Sequence, residues 1–384
     1  MPIYHILGIF FLRLPWVYTG MIHPDSASSN QFLINLSVLT TKPTGITTYA
    51  INLFPQIQSF NPTLLTSQTI ANYTCYPVPA NLTPDQGTKG HFRRLLWTQL
   101  QLPQIYQRLR SRLLFSPIPE APLYSNCRYI VTVHDLIPLR FPNPLSPLTH
   151  YHRHYIPQVL AQAQHILCNS TATAKDITDF FGISADKITP ILLAHDAKHF
   201  CALKLQERNY FLYIGRHDPY KNLHRLIAAF AALPSCRDYE LWLAGSTDRR
   251  YTPTLQALVD HLGITTQVKF LDYVPYSDLP ILLNSALALV FPSLWEGFGL
   301  PVLEAMACGT PVITSNLASL PEVAGSAALL VNPYKEGEIT AAMHAIAADS
   351  GLRSHLSSLS LARANQFSWT KTGLATAEVL SRYL

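Results

Sequence analysis

Two glutamates with seven residues between them, Glu296 and Glu304, bracket a turn that also holds Gly297 and Gly299 in the run PSLWEGFGLPVLE, residues 292–304. Glycines at a strand-to-helix turn let the backbone approach a ligand closely, and the first amides of the new helix point at any anion seated there. A helix opening near Leu300 puts Glu304 about one turn inside, within reach of vicinal hydroxyls. Glu296 then ends the preceding strand. A plain loop residue and a cap partner would account for the two acids, but not for the glycines or for an acid inside the apolar stretch 300–307.

A second group follows another expected strand, Gly215-Arg216-His217-Asp218-Pro219-Tyr220-Lys221-Asn222. Arg216 offers a planar fork and Lys221 a point charge, a pairing suited to a diphosphate. The plainer reading is a surface pair of Asp218 with Lys221 ahead of a helix. His134-Asp135 comes third, after YIVTV at 129–133. A strand-end histidine is commonly structural, but with a second domain facing it across a cleft it can reach a bound ligand. The fourth is Thr44-Gly45-Ile46, which opens a helix and puts backbone amides over the same cleft.

Several chemistries are excluded. No Asp-x-Asp occurs, so the carboxylate pair that chelates a metal in many sugar transferases is missing and no metal is expected. Neither a G-x-G-x-x-G after the first strand nor a G-x-x-x-x-G-K-[ST] loop is present. A G-x-S-x-G nucleophile is likewise missing. The six cysteines, at 75, 127, 168, 201, 236 and 308, are scattered without metal-ligand spacing and read as thiols of a reducing compartment.

These groups need elements to hold them. At 384 residues, 48% hydrophobic and only 13% charged, the chain is a globular protein of more than one core. No uninterrupted apolar run reaches the ~18 residues of a membrane span. Short β-branched runs alternate with helical stretches. Strands are expected near 32–39, 129–133, 165–168 and 188–193. A second series falls near 211–214, 239–244, 268–271, 286–291, 311–314 and 328–331. Ser170 is expected to cap a helix that ends near Gly182. Strands separated by helices specify parallel sheets covered on both faces, so the fold class is α/β with two Rossmann-like doubly wound domains. Ligands of such sheets sit beyond the carboxyl ends of the strands, which puts the site in the cleft between the two. The expected divisions are 1–30, an extension with Met21 as an alternative start; 31–205, a first domain; 206–365, a second; and 366–384, a terminal segment.

The net charge of +5 is uneven: the first 200 residues carry +6 and the remainder −1. Residues 86–119 hold Lys89, Arg93, Arg94, Arg108, Arg110 and Arg112 and no acid, interleaved with Leu96, Trp97, Leu113, Leu114 and Phe115. Such a run is either a solvated face or a contact for an anionic membrane. No recognition motif for nucleic acid accompanies it.

Together the 296–304 and 215–222 runs, Thr44 to Tyr49, His134-Asp135 and the run TPVITSNLASLPEVAGSAALLVNP at 310–333 resemble the family 4 retaining glycosyltransferases of GT-B fold, in particular their bacterial mannosyltransferase-like branch. The resemblance covers roughly residues 32–383. It implies that Glu304 binds the ribose hydroxyls, Glu296 contacts the donor sugar, and Arg216 and Lys221 hold the diphosphate. It further implies that Gly45 lies against the diphosphate from the other domain and that His134 meets the sugar near its anomeric carbon. Gly297, Phe298, Gly299 and Leu300 complete the donor-binding set. Phe367-Ser368-Trp369 resembles the start of a terminal helix that crosses back to the first domain. Thr47-Thr48 departs from the glycine and arginine of many members, which bears on the acceptor side. The implied reaction moves a hexose, expected to be mannose from GDP-mannose, onto a saccharide or lipid-linked acceptor in the cytoplasm, at or near the membrane. A UDP-sugar transferase, a nucleotide-sugar epimerase and a non-catalytic saccharide- or nucleotide-binding protein are the alternatives.

Overall fold

The computed structural model describes residues 32–40 and 45–384. The expectations for residues 1–30 and for Thr44 lie outside the described residues.

Seven strands form the first sheet: β1 Phe32–Asn35, β2 Thr63–Thr66, β3 Thr74–Pro77, β4 Leu113–Ser116, β5 Tyr129–Val133, β6 His165–Cys168 and β7 Ile188–Pro190. They run parallel in the order β3-β2-β1-β4-β5-β6-β7. Six more form the second: β8 Arg208–Ile214, β9 Glu240–Ala244, β10 Val268–Leu271, β11 Ala286–Phe291, β12 Val312–Ser315 and β13 Leu329–Val331. These are also parallel, ordered β10-β9-β8-β11-β12-β13. Each order reverses direction once, between β1 and β4 and between β8 and β11. At such a reversal the connections leave to opposite sides and open a crevice at the strand ends.

The central strands owe their place to sequences apolar on both faces. In β11, Ala-Leu-Ala-Leu-Val-Phe is buried at every position, as a strand covered by helices on both sides requires. Helix Thr171–Phe181 starts where the Ser170 hydroxyl accepts from the Thr173 amide, 3.0 Å, and stops at Gly182 with φ +65°. That start and stop are as the sequence implies.

Other expectations need correction. The strand expected at 188–193 ends at Pro190, on the sheet edge; the Ile191 amide makes the last bond to β6, donating to the Cys168 carbonyl at 2.8 Å. β2, β3 and β4 were not foreseen, because they are four-residue strands in proline-rich surroundings. Glu296 does not end a strand: β11 closes at Phe291, and Glu296 lies in the loop beyond. The basic stretch is not one free face. Leu113, Leu114 and Phe115 are core residues of β4, Trp97 is buried, and the Arg94 guanidinium is buried against the Glu120 carboxylate at 2.7 and 2.8 Å. Lys89, Arg93, Arg108, Arg110 and Arg112 remain exposed.

Helix Trp369–Ser381 packs on helix Gly45–Ile57 of the first domain. Gly373 there sits so close to Gln56 that a Cβ would meet its side chain at 2.6 Å. The Thr372 hydroxyl donates to the Leu192 carbonyl, 2.7 Å, and Tyr383 meets His165. All six cysteines are free thiols. Among the described residues no helix is long and apolar enough to cross a membrane, and no group of His, Cys, Asp or Glu could hold a metal ion.

Candidate active site

The reversal between β8 and β11 brings two sequence groups together. Residues 215–222 leave β8 and residues 292–299 leave β11, and the Leu294 amide donates to the Tyr220 carbonyl, 2.8 Å. Asn222, fully buried, donates from Nδ2 to the carbonyls of Pro292 (3.1 Å) and Pro333 (2.7 Å). The two loops are thus one unit. Within it Lys221 Nζ donates to Glu296 Oε1 at 2.6 Å, both side chains nearly buried. The expected pair of Asp218 with Lys221 does not form; Asp218 pairs with Arg216 instead, 3.0 Å. The Arg216 side chain is 71% exposed.

Gly215 and Gly245 end β8 and β9 back to back. A Cβ on Gly245 would lie 1.9 Å from the Gly215 carbonyl oxygen, and both residues have positive φ, +152° and +158°. Only glycine gives this floor, which presents bare backbone to a ligand. Gly299, φ +104°, turns the chain into helix Leu300–Ala307, and the Ser319 hydroxyl holds the carbonyls of Glu296 (2.9 Å) and Phe298 (2.8 Å). Phe298 is core, its ring edge-on to Phe367.

Glu304 lies one turn into that helix, as its spacing implies. Burial raises its carboxyl to about 7, and the neighbouring Asp196 carboxylate adds to the rise. The side chain is half-buried, and a carboxylate so placed is suited to receiving paired hydroxyl donors. Asp196 and Tyr276 lie near it, and His199 stacks on Tyr276 at 4.0 Å. Sequence reasoning missed all three. Their signal was position, Asp196 and His199 just past the last strand of the first sheet and Tyr276 just past β10.

The first domain meets this unit directly. Gly45, at the start of helix Gly45–Ile57, faces Leu300; a Cβ there would be 3.9 Å from Leu300 Cδ1. His134, one residue past β5, contacts the Pro117 carbonyl through Nε2 at 2.8 Å and lies edge-on to Tyr49. Burial pushes its pKa down, against the pull of that carbonyl and of Asp135. The ring is therefore neutral, with its proton on Nε2, and Nδ1 is left to accept. His134 and Gly45 of the first domain thus meet Gly297 and Leu300 of the second, beside the Lys221–Glu296 pair and on the helix that carries Glu304.

Two parallel α/β sheets with their strand-end loops facing across a cleft define the GT-B class, and comparison with solved structures agrees. Sucrose-phosphate synthase from Thermosynechococcus elongatus superposes with a TM-score of 0.73 at 19% identity, covering 91% of this chain and 98% of that one. Anabaena HepE, solved with UDP and glucose, gives 0.71 at 19% identity over 91% and 99%. In sequence, residues 196–360 match the model for glycosyl transferases group 1, and residues 66–199 match glycosyltransferase family 4. The O-antigen chain mannosyltransferase B of Escherichia coli is 34% identical over 271 residues, 67% of this chain and 70% of that protein. The O-antigen chain mannosyltransferase RfbU of Salmonella typhimurium is 29% identical over 324 residues, 79% and 87%. The chain belongs to the family 4 glycosyltransferases and is an enzyme of that class.

Proposed function

We propose that the chain transfers mannose from GDP-mannose, with retention of configuration, onto a saccharide acceptor in polysaccharide or glycolipid synthesis. The observation that carries this is the Lys221–Glu296 pair at the β8/β11 reversal, with Glu304 one helical turn away. The mannosyl choice is supported by the names of its relatives. Breaking the sugar C1–O bond leaves positive charge at C1 and negative charge on the departing β-phosphate. Lys221, Arg216 and the amides opening helix Leu300–Ala307 stabilise the phosphate, so no metal is required. Glu296 and the Nδ1 acceptor of His134 hold hydroxyls of the sugar, and Glu304 holds the ribose.

Transfer from a panel of radiolabelled nucleotide sugars tests the reading: GDP-mannose is the expected donor, with activity unchanged in EDTA. Use of a UDP-sugar alone would overturn the donor, and loss in EDTA restored by Mn²⁺ would overturn the metal-free clamp.

The two carboxylates separate by calorimetry. With a carboxyl near 7, Glu304 is charged at pH 8 and mostly protonated at pH 6, so GDP binding should weaken by up to about tenfold between them. In Glu304→Gln, binding should be weak throughout and that part of the pH dependence gone. Glu296→Gln frees Lys221 and should bind GDP at least as tightly while turnover falls. Equal losses of affinity in both variants would contradict the assignment.

A membrane-bound acceptor fits the outer face of helix Gly87–Leu100. Phe92, Leu96 and Leu100, one turn apart, are 61%, 46% and 63% exposed beside exposed Lys89 and Arg93. Each cation near an anionic surface contributes about 1 kcal/mol, fading over a Debye length of ~8 Å at physiological salt. On this reading the enzyme works in the cytoplasm against the inner face of the membrane. It should co-sediment with phosphatidylglycerol vesicles at low salt, and replacing Phe92, Leu96 and Leu100 by Ser should release it. Equal pelleting with neutral vesicles would end the idea.

A further inference from the structure

Glu296 has the first domain on both sides of it in the chain. Its preceding neighbour, Trp295, lies face-on beneath the Arg140 guanidinium, 3.6 Å from the ring centre. Its following neighbour, Gly297, offers its carbonyl to the hydroxyls of Ser170 (2.6 Å) and Thr173 (3.3 Å). Arg140 is in turn fixed by the buried Asp176, Nε lying 3.0 and 3.1 Å from the two carboxylate oxygens. Ser170, Thr173 and Asp176 all belong to helix Thr171–Phe181 or to its cap. One helix of the first domain therefore grips residues 295 and 297 together.

The next residue after Arg140 does the same to the other loop. Phe141 stacks on Tyr220, ring centres 5.7 Å apart, and Tyr220 immediately precedes Lys221. Tyr220 and Leu294 share a backbone hydrogen bond, so the two grips act on one rigid piece.

We propose that Arg140, Phe141 and Ser170 are positioning residues: by clamping Trp295, Tyr220 and Gly297 when the domains close, they set the Glu296 and Lys221 side chains for transfer. The inference rests on the donor roles given to Glu296 and Lys221 above. Nucleotide binding through Glu304, Arg216 and Lys221 belongs to the second domain and survives opening. Turnover does not, because near-attack geometry tolerates only small displacements. A guanidinium over an indole is also a directional contact that an ammonium does not replace.

The test separates binding from turnover. Ser170→Ala removes one grip. Arg140→Met combined with Asp176→Leu removes the other without stranding a buried charge, a replacement that apolar residues of similar volume usually tolerate. Both proteins should bind the bare nucleoside diphosphate within about threefold of the unaltered enzyme while kcat falls at least ~10-fold, the pattern of an interaction made only in the reacting state. Trp295→Ala should copy the loss, and Trp295→Phe, which keeps a face for the guanidinium, should restore most of it. Undiminished kcat in both clamp variants would overturn the proposal. So would parallel losses of kcat and nucleotide affinity, or a Trp295→Phe no better than Trp295→Ala. Failure of the underlying donor reading registers separately, as full turnover in Glu296→Gln.

Discussion

Replacing Lys221 by alanine is expected to lower kcat/KM by at least ~100-fold, the equivalent of ~3 kcal/mol of transition-state stabilisation. Two losses combine. The departing diphosphate loses a charged donor held in a site with little water, where such a contact is strongest. Glu296, whose side chain is only 10% exposed, loses the partner that lies 2.6 Å away. A buried carboxylate without a counter-charge is destabilised in its position, which spoils its contact with the sugar. Arginine at this position keeps the charge but replaces a compact ammonium, set 5.1 and 5.2 Å from the ring centres of Tyr220 and Phe291, with a longer planar group. Lys221→Arg should therefore recover only part of the activity. Steady-state kinetics on the two variants, with the folded state checked by thermal melting, decide the point; a loss of less than tenfold in Lys221→Ala would remove the residue from the phosphate site.

An equally large loss is expected from a single methyl group at Gly297. A Cβ there would stand 2.1 Å from the His134 carbonyl oxygen and 3.0 Å from Asp135 Cβ, both belonging to the first domain. Neither is the end of a flexible side chain, so the domains must part to make room. Gly297→Ala should reduce kcat by ~100-fold or more while GDP binding to the second domain is nearly retained. Gly337, with nothing within 4 Å of its would-be Cβ, supplies the control. Gly337→Ala lies in helix Glu336–Ala348 and should leave activity unchanged, with stability raised by up to ~1 kcal/mol. Full turnover in Gly297→Ala would mean that the closed cleft is not the reacting form.

Much of this was legible from residue types and spacing. The second sheet is legible almost strand for strand, because most of its strands carry an apolar run, complete in β11, and helical stretches separate them, so the two signals reinforce one another. The first sheet was read less well. β2, β3 and β4 are four residues long, and their surroundings carry Pro62, Pro77, Pro79, Pro84 and Pro117, which read locally as turns. The candidate site divides the same way. Glu296, Glu304 and Lys221 stand in motifs whose spacing has a physical meaning within one stretch of chain. Arg140, Ser170 and Asp196 meet the site through Trp295, Gly297 and Glu304, each more than a hundred positions distant, and no local pattern records such a partner. The basic stretch misled for a related reason: the acid that neutralises Arg94 is Glu120, one residue past its end.

The crossing of helix Trp369–Ser381 onto helix Gly45–Ile57 bears on how the chain is made. The covering helix emerges from the ribosome about 320 residues after the helix it covers. Until then the face that carries Gln56, against which Gly373 later packs, and the buried Tyr49 hydroxyl, which pairs with Thr376, lack their lid. The first domain is thus synthesised first and completed last. Every nascent chain spends most of its synthesis with that seam open, and at the 5–20 residues per second of translation the wait is on the order of tens of seconds.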